Sequence, residues 1–177
     1  MKPPIQFKTK RLILRAPVLD DAEDIFKAYA QDKAVVKHLT WMPHKHVENT
    51  REFLQNCVSD WKRERSFTWV ILEGGSNTLL GMVGMVPEEY KVELGYVLRR
   101  DYWGKGIMTE AAQAIVDWAK QERSIYRIGA FCDTQNTASA HVLEKVGMQR
   151  EGILRRWIRH PNISNEPRDC YCYSIVK

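Results

Sequence analysis

A strand, a glycine-punctuated turn and the start of a helix follow one another between Val92 and Glu110. Residues 92–98 alternate and include β-branched and aromatic side chains, which predicts a half-buried strand. Apolar residues recur at helical spacing from 111 to 119. The first amides of a helix lack intrahelical acceptors and lie at the positive end of its dipole, so the turn predicts an anion site suited to phosphate. Gly104 and Gly106 allow a ligand to approach the backbone because they carry no Cβ.

Two better-known phosphate loops do not fit this turn. A kinase-type P-loop requires Gly-x-x-x-x-Gly-Lys-Ser/Thr, which is absent, and a dinucleotide loop requires a third glycine where Thr109 stands. We expect the site to rely on backbone amides together with Arg99, Arg100 or Lys105. Taken alone, Gly-Lys-Gly is also typical of an ordinary strand-to-helix connection.

Composition places the chain among folded proteins. It has 177 residues, of which 44% are hydrophobic and 28% charged, and its net charge is +5. The basic residues are scattered, which argues against nucleic acid as a partner. No apolar run is as long as a membrane span, and the polar start is not a signal peptide, so we expect a cytoplasmic location and no membrane partner. The four cysteines form no Cys-x-x-Cys pair, and we expect no bound metal.

The remaining pattern predicts a single α/β domain over 1–177 with a mostly antiparallel sheet. A helix with a capping box of Asp20 and Glu23 follows the first strand, and a second helix covers Val47–Arg65. A Gly-Gly-Ser-Asn turn at residues 74–77 indicates a hairpin. The predicted strands are 9–16, 67–72, 79–86, 92–98, 126–131, 149–158 and 169–176, and further helices follow residues 106 and 133.

The glycine turn resembles motif A of the GNAT acetyltransferase superfamily, Arg/Gln-x-x-Gly-x-Gly/Ala. The string from Tyr102 to Ala111 is similar to the ribosomal-protein-alanine N-acetyltransferase branch, as are Asn136-Thr137-Ala138-Ser139 and Glu144-Lys145-Val146-Gly147-Met148. The resemblance covers nearly the whole chain and matches the order of elements. The chain departs from the pattern in two places: Asp101 holds the Arg/Gln position, and Ile158 replaces a glutamate of the branch.

The resemblance implies acetyl-CoA as co-substrate and assigns its binding residues. The backbone of Val97, Leu98 and Arg99 would pair with the pantetheine arm. Asn136 would bind a pantetheine amide, and Ser139 would lie near the thiol or phosphate. The pyrophosphate would be bound by the backbone amides of Gly104, Lys105, Gly106, Ile107, Met108 and Thr109.

Acetyl transfer to an amine requires a neutral nucleophile, a polarised carbonyl and a proton for the thiolate. Most free amines are protonated at pH 7, so a base is needed, and we predict Glu93 for this role. An exposed strand glutamate with no catalytic task is the competing interpretation. The Val97 amide is the predicted oxyanion donor. Ser139 is the candidate acid by resemblance, because Leu143 stands where many relatives carry tyrosine.

The acceptor stays open at this level. A protein N-terminus, a polyamine or an amine-bearing antibiotic all fit the resemblance, and Trp41, Tyr90 and Trp157 are candidates to line a moderately apolar acceptor cleft. A CoA-binding module without turnover is the alternative function. The chain is expected to be a monomer or a homodimer.

Overall fold

The computed structural model describes all residues from Met1 to Lys177. Eight strands form one sheet in the order β1-β2-β3-β4-β5-β6-β8-β7, and only β5 and β6 run parallel to each other. The mixed, mostly antiparallel fold class predicted from the sequence is confirmed. The strands are β1 (Gln6–Lys8), β2 (Leu12–Arg15), β3 (Phe67–Glu73), β4 (Leu79–Glu88), β5 (Lys91–Leu98), β6 (Arg127–Asp133), β7 (Gln149–Arg159) and β8 (Pro167–Val176).

Helices cover both faces of the sheet. The first begins as α1 (Ala22–Ile25) and continues as a π-helical turn over Phe26–Ala30. The others are α2 (Lys33–Val36), α3 (Val47–Lys62), α4 (Ile107–Gln121) and α5 (Thr137–Lys145). None of them combines the length and the apolar character needed to cross a membrane.

Alternation along the strands divides the core into two clusters. Val92, Leu94 and Leu98 of β5 pack with α4 and α5 in the larger cluster. Val97, which points the other way, packs against the smaller cluster of Ile25, Leu54 and their neighbours on α1–α3. Because side chains alternate along a strand, Glu93 and Gly95 share the α1–α3 face with Val97.

The two parallel strands diverge part-way along their length. β5 pairs with β6 only over Lys91–Glu93 and Arg127–Gly129. β6 continues to Asp133 with β8 as its partner, while β5 continues to Leu98 with β4. The sheet is therefore open between the carboxyl ends of β5 and β6, and this opening positions the site.

Two local predictions near the N-terminus are wrong. The predicted opening strand at residues 9–16 forms only over β2, because the Thr9 hydroxyl and amide both bond to Leu12 and form a turn, and β1 lies before the predicted range. The Asp20–Glu23 capping box does not form. Instead, the Asp21 carboxylate accepts from the Val18 amide at 2.8 Å and pairs with Arg15 at 2.6 Å.

Other turn predictions are confirmed. The turn at residues 74–77 joins β3 to β4 as an antiparallel hairpin. Gly147, just beyond the end of α5, has φ +88°, a left-handed conformation that favours glycine at this position. The second predicted helix begins at Val47 as expected and ends three residues early, at Lys62.

Candidate active site

A cleft of about 590 Å³ occupies the opening between β5 and β6. Its walls come from four segments: residues 34–39, the end of β5 at Tyr96–Leu98, the turn at 102–109, and residues 135–145 around the start of α5. The first segment lies on the α1–α3 face and the last belongs to the α4–α5 side. The cleft is thus lined from both sides of the sheet.

The glycine turn forms a cradle of free amides at one end of this cleft. The backbone N–H groups from Gly104 to Thr109 make no hydrogen bond within the chain. Gly104 and Gly106 adopt φ of +71° and +72°, which only glycine adopts without strain. Since α4 begins at Ile107, three of these amides are the free donors of its first turn, where an anion is favoured.

The cations predicted for the anion site are mostly engaged elsewhere. Arg99 pairs with Asp101 at 2.7 Å and also donates to the Leu79 carbonyl. Arg100 pairs with Asp32 at 3.0 Å. The Lys105 ammonium lies 4.9 Å above the Tyr102 ring and makes no ion pair, so it is the cation of the turn that remains available.

Hydrogen bonds from Thr9 and Arg11, in the turn between β1 and β2, hold the glycine turn in place, and we call this set of contacts to Glu110 the brace. Glu110 in the first turn of α4 accepts hydrogen bonds from the Thr9 hydroxyl at 2.6 Å and from Arg11 Nε at 2.7 Å. Arg11 also donates to the Lys105 carbonyl at 3.1 Å. Burial raises the pKa of Glu110, but these hydrogen bonds outweigh it and leave the pKa below its usual value.

The start of α5 forms the opposite wall. Asn136 caps the helix, its Oδ1 accepting from the Ser139 amide at 3.2 Å, which leaves its side-chain amide nitrogen free beside the cleft. Ser139 Oγ lies 2.9 Å from the Tyr96 hydroxyl of β5. Burial raises the pKa of Tyr96 well above its ordinary value, so the phenol stays protonated.

The strand register decides which β5 amides face the cleft. Met82 of β4 stands opposite Val97, and two residues further on the Arg99 amide donates to the Leu80 carbonyl. Because antiparallel pairs alternate, the Val97 amide is also directed toward β4. The register therefore argues against Val97 as oxyanion donor, since the amides at the end of β5 that β4 leaves free are those of Tyr96 and Leu98. The Leu98 carbonyl, on the cleft side, accepts from Trp103 Nε1 at 2.8 Å.

Comparison with known proteins identifies the family. The family model described as "Acetyltransferase (GNAT) domain" matches residues 11–149. The chain belongs to the GNAT acetyltransferase family. It is 30% identical over 96% of both chains to the Bacillus subtilis protein named "Uncharacterized N-acetyltransferase YoaA". The Bacillus anthracis GNAT acetyltransferase structure is 31% identical, with a TM-score of 0.84 over 97% of this chain and 98% of its own. The predicted likeness to the ribosomal branch also holds: the Escherichia coli [Ribosomal protein uS5]-alanine N-acetyltransferase is 22% identical over 88% of this chain and 84% of its own.

Glu93 lies outside the cleft walls of this GNAT chain, on the α1–α3 face of β5. Its neighbours across the sheet are Val86 on β4 and Gly129 on β6. Burial, followed by the nearby Glu88 carboxylate, raises its pKa, while Lys91 opposes the shift. The side chain is half-buried beside the point where β5 and β6 separate.

The three aromatic residues predicted to line an acceptor pocket are not brought together. Trp41 packs on the α1–α3 cluster and lies 4.9 Å from the His44 ring. Trp157 of β7 meets Phe131 of β6 edge-on at 5.8 Å and is half exposed. Tyr90 precedes β5, about 20 Å along the strand from Tyr96, and therefore lies at the other end of the sheet.

Sequence reasoning missed two features of the site. The sequence pattern indicates only a strand residue at Tyr96, and the resemblance places the tyrosine in α5, where this chain has Leu143. The brace of Thr9 and Arg11 on Glu110 was also missed, since those residues are about a hundred positions apart. The only signal for Tyr96 was its place in the alternating strand that enters the glycine turn.

Proposed function

We propose that this GNAT chain transfers the acetyl group of acetyl-CoA directly to a primary amine that carries a single positive charge, with a protein N-terminus as the favoured class. The observation that carries the proposal is the cleft between β5 and β6, which has a cradle of free amides at one end and is lined from both sheet faces. Such a cleft lets the donor and the acceptor meet from opposite sides. Acetyl-CoA as donor follows from the family itself.

The cradle would hold the pyrophosphate, with the Gly104–Thr109 amides as donors and Lys105 as a mobile cation. The pantetheine arm would lie along the open edge of Tyr96–Leu98. The Asn136 side-chain nitrogen is free to donate to an amide carbonyl of that arm, and Ser139 Oγ would face the sulfur. This assignment keeps Leu98, the Gly104–Thr109 amides, Asn136 and Ser139. It replaces the backbone of Val97 and Arg99 by that of Tyr96, because the amides of Val97 and Arg99 are directed toward β4. The charge of Arg99 is paired with Asp101.

The thioester carbonyl would sit against the Tyr96 amide, a backbone donor that β4 leaves free. Ser139, held by the Tyr96 phenol, would donate a hydrogen bond to the departing thiolate. Glu93 would accept the proton that an arriving ammonium must lose. Its raised pKa suits this task, because it brings the carboxylate closer to the pKa of the amine.

Charge on the acceptor side favours an amine with one positive group. Asp133 is paired with Arg168 at 2.5 Å, and Asp32 is paired with Arg100 at 3.0 Å. Glu93 is left as an acid without an ion-pair partner. A polyamine, which needs a second carboxylate for its second ammonium, gains little here. An α-amine, with a pKa of about 8, also needs less deprotonation than an alkylamine with a pKa of about 10.

The test is a thiol-release assay with acetyl-CoA and a panel of amines, with the acetylated product identified by mass. The panel contains N-terminal peptides beginning with alanine or serine, spermidine, an aminoglycoside and the same peptides with blocked N-termini. We expect turnover of the free peptides at least tenfold above that of spermidine. A preference for spermidine contradicts the acceptor class, and tight acetyl-CoA binding with no turnover of any amine supports the binding-module alternative.

A further inference from the structure

A buried ionic cluster lies beside the cleft where β6 ends. Asp133, only 1% exposed, accepts from Arg168 Nε at 2.5 Å and from the Gln135 amide at 2.8 Å. These hydrogen bonds, together with the Arg168 charge, outweigh the effect of burial and leave the pKa of Asp133 below its usual value. An ionised carboxylate is therefore fixed at the edge of the site.

Two histidines, whose rings meet edge-on at 6.4 Å, face different oxygens of this carboxylate. His38 Nδ1 lies 3.9 Å from Asp133 Oδ1, and His160 Nε2 lies 3.8 Å from Oδ2. The Nδ1 atoms of both rings are buried without a hydrogen-bond partner. The two rings differ in access: His160 is 4% exposed and contacts the Cys170 sulfur, whereas His38 lines the cleft.

The position of Asp133 indicates how the His38 ring is protonated. At 3.9 Å the contact is too long for a hydrogen bond, but the carboxylate is the anion facing the buried Nδ1. A proton on Nδ1 would point at Asp133, which leaves the lone pair on Nε2. That nitrogen makes no hydrogen bond within the chain, and the ring forms part of the cleft wall. No three His, Cys, Asp or Glu side chains are grouped as metal ligands would be.

We propose that His38, oriented by Asp133, takes the proton that the acceptor nitrogen loses as the amide bond forms. The inference rests on the proposed function. It adds a catalytic residue on the α1–α3 side of the cleft, carried by the turn that follows α2.

Burial keeps His38 in the basic form. Burial is the largest influence and lowers its pKa; the charges of Lys37, His160 and Arg168 act in the same direction, and Asp133 opposes them. The imidazole is thus neutral at pH 7 and free to accept a proton.

The step balances without any further reactant. The neutral amine nitrogen bonds to the thioester carbon, and the carbon–sulfur bond then breaks. One proton passes from nitrogen to His38 Nε2, and one proton from solvent joins the departing sulfur beside the Ser139 hydroxyl. The products are the N-acetylated amine and free CoA, and His38 returns its proton to solvent.

Glu93 and His38 accept different protons in this scheme. Gly129 stands opposite Glu93, and Asp133 is four residues further along β6, about 13 Å away. Glu93 would remove the proton that makes the amine an ammonium, whereas His38 would remove the one lost from the tetrahedral adduct. High pH makes proton removal by Glu93 unnecessary, because the amine then arrives neutral. It does not replace proton removal from the adduct by His38.

The test uses the full chain with saturating acetyl-CoA and the best amine of the panel, from pH 6 to pH 9. The variants are His38→Gln, His38→Ala and the matched control His46→Gln, an exposed histidine at the start of α3. We expect His38→Gln to lower kcat about 10²-fold with no recovery at pH 9. Added imidazole should raise kcat of His38→Ala at least tenfold, measured as acetylated amine rather than as thiol. Calorimetric affinity for acetyl-CoA should stay within twofold of the wild type, which also shows that the variants are folded.

Three outcomes overturn the proposal. One is a His38→Gln kcat equal to that of His46→Gln. Another is a His38→Ala variant whose lowered kcat is not raised by added imidazole, which would mean that His38 has a structural role. The third is recovery of the His38→Gln kcat at pH 9, which would mean that His38 only supplies a neutral amine. A wild type that acetylates no amine at all removes the proposed function itself, and is distinguished by the control assay.

Discussion

The Tyr96 hydroxyl lies 2.9 Å from Ser139 Oγ and 3.2 Å from the Ser139 carbonyl oxygen, joining β5 to the first turn of α5. The contact joins two walls of the cleft beside the point where the CoA sulfur is proposed to lie. It restricts the serine hydroxyl to one region of the cleft.

Replacing Tyr96 by phenylalanine removes this contact and keeps the ring. We expect kcat to fall about fivefold, since one hydrogen bond contributes about 1 kcal/mol. The KM for acetyl-CoA should change little, because the cradle is untouched. Tyr126→Phe, at an exposed tyrosine before β6, is the control. Steady-state kinetics of both variants decide the matter, and equal kcat values for the two would show that Tyr96 does not position Ser139.

The glycine turn allows a direct test of the cradle. Gly106 has φ +72°, so a β-branched residue there forces the backbone out of the left-handed region and misaligns the amides. Gly106→Val should weaken acetyl-CoA binding at least tenfold, or about 1.4 kcal/mol, by calorimetry. Gly75→Val is the matched control, because that glycine lies in an exposed turn with open space at its Cβ. Unchanged affinity in a folded Gly106→Val protein would move the pyrophosphate elsewhere.

Local signals predicted most of the fold. Alternation identified β5, the glycines placed the start of α4, and Gly147 marked the end of α5, because each depends on neighbours within a few residues. β1 was missed because it is only three residues long. The capping box was misread since Asp20 and Asp21 are both suitable caps. The choice between them is made by Arg15, whose pairing with Asp21 is a tertiary contact.

The site was predicted less completely, and the reason is topological. The cradle residues are contiguous, so their spacing reveals them. Asp133 and His38 are 95 positions apart and meet only because β6 ends beside the turn after α2. The sequence predicts the functional amide of β5 at Val97, one residue from the cleft-facing amide of Tyr96. Alternate amides of β5 face β4, and which ones do so depends on the β4–β5 register, which the sequence does not reveal.

The brace at Glu110 predicts a pH-dependent stability. Glu110→Gln loses the ionised acceptor of Thr9 and Arg11, and we expect about 2 kcal/mol lower unfolding free energy at pH 7. The folded pKa of Glu110 is lowered, so its contribution is present above the unfolded pKa of about 4.5 and is lost as the pH falls through the folded value.

Urea unfolding at pH 7 and at pH 3.5 measures this difference. The difference in unfolding free energy between wild type and Glu110→Gln should be smaller at pH 3.5 than at pH 7. The control is Glu23→Gln, whose carboxylate makes only exposed pairs with Lys27 and Arg51 and should contribute under 1 kcal/mol. A gap at Glu110 that stays constant with pH would mean that packing, not charge, holds the turn.

Glu93 gives the last prediction. Glu93→Gln keeps the shape of the side chain but cannot accept a proton, so kcat at pH 7 should fall by about 10²-fold. Activity should recover toward pH 9, because a growing fraction of the amine is then neutral. Affinity for acetyl-CoA should barely change, since Glu93 lies on the α1–α3 face, away from the cradle. If Glu93 only binds the charge of the amine, the variant will instead raise the acceptor KM at nearly constant kcat, with no recovery at high pH. The pH–rate profiles of wild type and variant separate the two, and a wild-type kcat throughout would remove Glu93 from the mechanism.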